Sequence, residues 1–261
     1  MIKDEISQVL TVAAYEVRKY LRSRRLIGMV VILGLIIGLI LGLPPALGSK
    51  YPSQPNNFVG TFAGFTGILV ILCGTLFAAD ALVSEHEKRT GYFLFPNPVR
   101  RDVLVLGKLL ASLFTSAAVL TLYYLVATIA ALAATGAASW EIGLSYAYAL
   151  AYTGAVVGIA YVLSSVLRST VAATVLTFFL FLLIFNIIGA LLFVGKVDPW
   201  FIPTSASGII SNVLAPPSEG PPGPFRQFVP DAATSLLVFA AYFVAGSILS
   251  ILMFRRRELS S

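Results

Sequence analysis

Residues able to do acid–base, nucleophilic or metal chemistry are sparse in this chain, and they do not converge. His86 is the one histidine and Cys73 the one cysteine. Zinc hydrolysis needs ligands gathered in a pattern such as HExxH, and none occurs. A serine nucleophile needs a base beside it, and no histidine lies in an apolar run. Acid chemistry on paired carboxylates fails too. Asp80 is the one acid inside an apolar run, near its end, where solvation makes a charge tolerable. A phosphate loop needs GxxxxGK followed by Ser or Thr. Gly107–Lys108 is the one Gly-Lys pair ahead of a long apolar run, but Asp102 and Leu109 occupy positions that the motif reserves for Gly and Ser or Thr. Catalysis and ATP hydrolysis are therefore not expected of this chain, and any ATP-driven work must come from another polypeptide.

The charged residues gather instead in one stretch, VSEHEKRTGYFLFPNPVRRDVLVLGK, residues 83–108. It holds five of the 18 basic and three of the 12 acidic residues, with long apolar runs on both sides. Ser84 is placed to cap a short helix. Glu85 and Glu87 follow at its start and Lys88 and Arg89 later, an order that suits the helix dipole. Gly91 bends or ends it, and Pro96 and Pro98 stop it. Exposed Tyr92, Phe93 and Phe95 make it a poor free loop and a reasonable surface for a protein partner.

The elements around this stretch are set by composition. Of the 261 residues, 58% are hydrophobic and 11% charged, against about 25% charged in soluble domains. Six apolar runs, at 26–43, 61–83, 109–134, 142–167, 170–194 and 232–254, approach or exceed the roughly 20 residues that a helix needs to cross a bilayer core. Lipid cannot satisfy open backbone groups, so helices are expected, and the runs are too long for barrel strands. The fold class is all-α and polytopic, with six transmembrane helices. Fifteen of the 18 Lys and Arg residues fall on one side of such a plan, which predicts cytoplasmic N- and C-termini. The net charge of +6 lies beside the apolar runs and points to lipid headgroups, not nucleic acid.

Residues 1–25 read as an amphipathic helix in the headgroup layer, with Ile6, Val9, Leu10, Ala13, Val17, Tyr20 and Leu21 at helical spacing. With three acids, the segment does not resemble a cleaved leader. Residues 26–261 form the six-span domain. On the outer side, 135–141 is a tight turn, 44–60 a polar loop and 195–230 a long Pro-rich loop whose apolar flanks, 200–202 and 209–214, are expected at the interface. Asp231 is placed to cap the last span. No proline falls inside an expected span.

Gly34, Gly38 and Gly42, and again Gly154 and Gly158, form GxxxG stripes that serve close packing within a subunit or between copies. Tyr124, Tyr152 and Asn186 lie deep enough to be candidate pathway residues, with packing the plainer alternative; for Asn186 that means a hydrogen bond to a neighbouring helix. The absence of mid-depth charge disfavours an ion-coupled carrier. A membrane anchor or assembly protein without transport stays open.

The ordered set D80, S84-E85-x-E87-x-x-T90-G91, P98-V-x-R101 and G107-K108 resembles the signature region of type-2 ABC export permeases. The resemblance implies a transport subunit of an ABC transporter in the cell membrane, devoted to export and without its own ATPase. Residues 84–95 are then its coupling helix, with Ser84, Glu85, Glu87, Lys88, Arg89, Thr90 and Gly91 docking on a separate ABC ATPase subunit. Asp80, Pro98, Arg100, Arg101 and Lys108 mark the coupling loop and the entry to the third span. Two ATPase copies, binding ATP and magnesium, and a second copy of this chain or a related permease are the implied partners. In place of the leucine run usual after the Thr-Gly pair, this sequence has Tyr92–Phe95.

Overall fold

The computed structural model describes residues 2–87, 100–214 and 229–256, and among them every regular element is helical. Six helices are long and apolar enough to cross a membrane: α2 (Arg24–Ala46), α3 (Pro55–Phe77), α5 (Arg101–Thr135), α6 (Glu141–Val166), α7 (Thr170–Val194) and α10 (Ala232–Arg256). The remaining helices are α1 (Ile2–Leu21), α4 (Val83–Glu87), α8 (Pro203–Ala206) and α9 (Ile209–Asn212). The boundaries of α2, α3 and α5 depart from those expected.

The first of the six, α2, runs on through Pro44 and Pro45 to Ala46, so prolines do fall inside a span. They sit in its last turn, where the carbonyl of Leu43 is still satisfied, by the Leu47 N–H at 3.0 Å. Pro55 opens α3 at a position where a missing N–H costs nothing, so α3 begins six residues earlier than its apolar run and ends at Phe77. Asp80 thus lies in the turn beyond the helix, not inside a span. The 35 residues of α5 span about 52 Å, well over the ~30 Å of a bilayer core. Its first two turns carry Arg101, Asp102 and Lys108, charges that read in the sequence as a segment outside the helix.

Burial divides the bundle into a centre and a rim. In α3, α5 and α6 between 56% and 67% of the apolar window is buried, and in α2, α7 and α10 at most 22%. Small residues set the closest crossings. A Cβ on Gly246 of α10 would lie 2.5 Å from the backbone carbon of Gly158 on α6, and one on Gly107 of α5 would lie 2.7 Å from Val12 of α1. The α1 helix therefore splits its apolar residues. Val9, Val12, Ala13, Val17 and Tyr20 turn toward the bundle, while Ile6, Leu10 and Leu21 remain exposed.

The flanks of the long loop divide: Trp200 and Phe201 are exposed, as expected of an interface, while most of the apolar residues after them turn inward. Ile202, Ile209, Ile210 and Leu214 are buried, because α8 and α9 fold back between α3, α6 and α10. A chain of hydroxyls fixes them: Tyr124 Oη lies 2.9 Å from Ser145 Oγ, which donates to the carbonyl of Ile210 at 2.7 Å. Asp231 caps α10 as expected, with Oδ2 accepting from the N–H groups of Ala233 and Thr234.

Candidate functional site

The end of the bundle that carries α1 and α4 holds a compact polar hub. At its centre is Lys108, about two turns into α5 and 1% exposed. Its Nζ donates to Glu16 Oε1 of α1 at 2.6 Å and to Glu85 Oε1 of α4 at 2.7 Å. An ammonium this deeply buried needs partners to hold its charge. Here two carboxylates from two other elements supply them, and Lys19, on the solvent side of Glu16 at 3.0 Å, brings the four groups to neutrality.

The C-terminal end of α3 is satisfied by three neighbours. Helices leave their last carbonyls without internal donors. Arg25 Nη1 donates to the carbonyl of Leu76 at 3.2 Å while its Nη2 pairs with Asp80 Oδ2 at 2.6 Å. Tyr20 Oη and Ser112 Oγ each donate to the carbonyl of Phe77 at 2.7 Å. Ser112, one turn beyond Lys108 on the same face of α5, also meets Tyr161 Oη of α6 at 3.0 Å. Burial pushes the Tyr20 hydroxyl well above its ordinary range, so it stays a neutral donor at any physiological pH.

The start of α4 is fixed from α6. Ser164 Oγ accepts from the N–H groups of Leu82 and Val83, at 2.9 and 3.1 Å. The cap is thus supplied by another helix, not by Ser84, whose hydroxyl turns back toward the carbonyl of Ala81 at 3.5 Å. Ser84 and Glu85 are 8% and 9% exposed. Both side chains face inward in this chain, and Glu85 is held by Lys108. Glu87 ends α4. Its side chain, and Lys88, Arg89, Thr90, Gly91 and Pro98, lie outside the described residues.

The other singled-out residues separate. Arg100 pairs with Glu5 of α1 at 2.7 Å, and Arg101 Nη1 donates to the carbonyl of Arg255 at 3.1 Å. Gly154 and Gly158 pack against Phe243 and the Tyr242 carbonyl of α10, within the chain. Gly34, Gly38 and Gly42 meet nothing within 4 Å, so this stripe faces away from the bundle. Tyr124 is bound in the hydroxyl chain to α9, and Tyr152 is 1% exposed with its ring 5.4 Å from that of Phe239. Among the described residues both side chains are packed within their own chain. Asn186 does not reach a neighbouring helix. Its Nδ2 donates to the carbonyls of Phe181 and Leu182, at 3.1 and 2.9 Å, where a π turn at Leu180–Ile184 disturbs the regular ladder of α7.

Glu16, Arg25, Ser112 and Ser164 escaped the reading of the sequence. Glu16 carries a signal in retrospect: it is an acid on the same stripe of α1 as Val9, Val12, Ala13 and Tyr20, where an unpaired charge would be out of place. Chemically the hub can bear load but has no open substrate position. It joins α1, α3, α4, α5 and α6 through charge-assisted and buried hydrogen bonds, so α4 cannot shift without moving them.

Over residues 10–259 the chain matches the family described as "ABC-2 family transporter protein". No curated protein matches it.

Proposed function

Because the chain belongs to the ABC-2 family of transporter proteins, and so is a multi-pass membrane protein of the transporter-subunit kind, we propose that it is the permease of an ABC exporter whose ATP hydrolysis takes place on a separate subunit. In this reading both termini are cytoplasmic, as the Lys and Arg distribution favours. Residues 84–95 dock on the ATPase, two of which sit beneath a pair of permease chains. ATP binding draws the ATPases together, and the movement enters the spans through α4.

One observation carries the reading: the short helix between the second and third spans is tied by Lys108 to α1 and α5 and by Ser164 to α6. A free loop would absorb a push, whereas this segment transmits it. Pairing of two chains is supported by the outward stripe Gly34, Gly38 and Gly42 and by the exposed amide of Asn186 on an otherwise apolar face of α7. Both faces lie on helices that lean on α3 and are otherwise little covered by their own chain.

The test is co-purification of the full chain with an ABC ATPase from its own cells. Arg89→Glu is expected to weaken that association without changing the unfolding temperature of the permease. Undiminished association would remove the docking role from this segment. Glu85 is unsuited to the same test, since its charge is committed to Lys108.

A further inference from the structure

At the end of the bundle opposite the Lys108 hub, a cavity of about 380 Å³ lies between the turn after α7, α8 and the start of α10. Two carboxylates line it, Asp198 and Asp231, and among the described residues no Lys, Arg or His does. Neither acid takes part in an ion pair with a described residue. Lys196 stands two residues before Asp198 but is exposed and lies off the cavity wall. Asp231 spends Oδ2 on the first N–H groups of α10, and the start of that helix contributes about half a positive charge. Two carboxylates outweigh it, so the lining stays acidic.

A second, independent feature of the same wall is Ser235. It is 1% exposed, and its Oγ has no hydrogen-bond partner among the described residues. A buried hydroxyl left so costs stability unless a further polar group meets it. The rest of the wall is apolar, with Pro199, Val229 and the half-exposed ring of Trp200. Anchoring at a membrane interface would explain Trp200 alone. It does not explain two acids and an unpartnered buried hydroxyl around one cavity.

We propose that this cavity binds an organic ammonium ion, a free small molecule with a primary amine on a compact apolar body. Such a group has three N–H donors and no acceptor. Asp198 and Asp231 supply the opposite charge, Ser235 Oγ accepts one N–H, and the Trp200 ring attracts the cation and covers the apolar body. Calcium fits less well: it gathers six or more oxygens, and the described residues hold no group of three acid, histidine or cysteine ligands. The ammonium of a lipid headgroup fits less well too, because its phosphate would meet the two carboxylates. The site lies within one chain and needs neither an ATPase nor a second copy, so it stands apart from the transport reading.

Isothermal titration calorimetry of the full chain in a non-ionic detergent at low salt tests this, with phenethylammonium chloride as the probe. One saturable site per chain is expected. Phenethyl alcohol, of the same shape without the charge, is expected to bind about tenfold more weakly, since it lacks the charge-assisted bonds. Asp198→Asn and Asp231→Asn are each expected to weaken probe binding about fivefold, the upper end for exposed ion pairs, and asparagine at 231 still caps α10. Ser235→Ala is expected to weaken binding about fivefold without lowering the unfolding temperature, because the hydroxyl it removes has no partner among the described residues. Equal binding of the alcohol, full binding by the double Asn variant, or full binding by Ser235→Ala would each overturn the proposal. So would binding that appears only after Arg226→Gln, which would make the chain's own arginine the cation. Competition by phosphatidylethanolamine and not by phosphatidylcholine would give the site to a lipid headgroup and overturn the free amine.

Discussion

The hub around Lys108 is an arrangement in which removing one charge costs more than the pair contributes. Lys108→Met keeps the apolar stem but leaves Glu16 and Glu85 facing each other, both only about a tenth exposed. Breaking a buried pair from one side costs about 3–5 kcal/mol, so the variant should unfold at a clearly lower temperature in detergent. Adding Glu16→Gln and Glu85→Gln to it removes the stranded charges and should recover much of the loss. A triple variant no more stable than the single one would show that charge is not what the hub balances. Ser164→Ala is a milder case: it leaves two N–H groups at the start of α4 without an acceptor, at about 1–3 kcal/mol for a buried unsatisfied donor. Proteolysis between 84 and 99 should quicken before global stability falls. The sequence exposed only half of this site. Lys108 and Glu85 stand in the charged stretch, but Glu16 and Ser164 lie 92 and 56 residues from Lys108. Nothing local says that α1 folds back onto α5, or that a serine near the end of α6 caps a helix in another part of the chain.

Among the elements, the six apolar runs were legible because the bilayer length and apolar content are written in each run separately. Their ends were not, since an end depends on tertiary partners. The first turns of α5 are helical despite Arg101, Asp102 and Lys108 because partners from other elements receive them: Arg255 takes Arg101 on its carbonyl and Asp102 on its guanidinium, and Glu16 and Glu85 take Lys108. Likewise the glycine stripes look alike in sequence and separate in space. On α6, Gly158 is crossed by Gly246 of α10, so a Cβ on either would meet backbone under 3.0 Å away. Gly246→Val should therefore force α10 from α6 and destabilise the isolated chain, as overpacking of a close contact does by about 1–3 kcal/mol. Gly38→Leu adds bulk to a face that meets nothing in its own chain. It should leave the unfolding temperature of the single chain unchanged and lower the fraction of paired chains in cross-linking or mass photometry. If Gly38→Leu lowered single-chain stability as much as Gly246→Val does, the outward face of α2 would be a packing face of the monomer and not a pairing surface.

At the scale of the whole molecule, the described charges gather at the ends of the spans, which favours the proposed ATP-driven reading over an ion-coupled one. Among the described residues no Asp, Glu, Lys, Arg or His side chain sits midway along a span in the way a coupling-ion site requires. The buried charges lie together at the α1 end, against α4, where they hold elements and bind no ion in transit. Transport driven from that end should follow the ATPase and ignore ion gradients. In sealed vesicles containing the permease with its ATPase, export is expected to need ATP and to continue at an unchanged rate when an ionophore collapses the proton and sodium gradients at constant ATP. Rigidity of the hub adds a second requirement. In complexes assembled with Lys108→Met, ATP hydrolysis should persist while export per ATP falls, and Lys108→Arg, which retains a cation between Glu16 and Glu85, should restore part of the ratio. Export abolished by the ionophore at constant ATP would transfer the energy source to the membrane gradient. A Lys108→Met complex that exported with the normal ratio would instead show that movement of α4 reaches the spans without passing through the buried ion pairs.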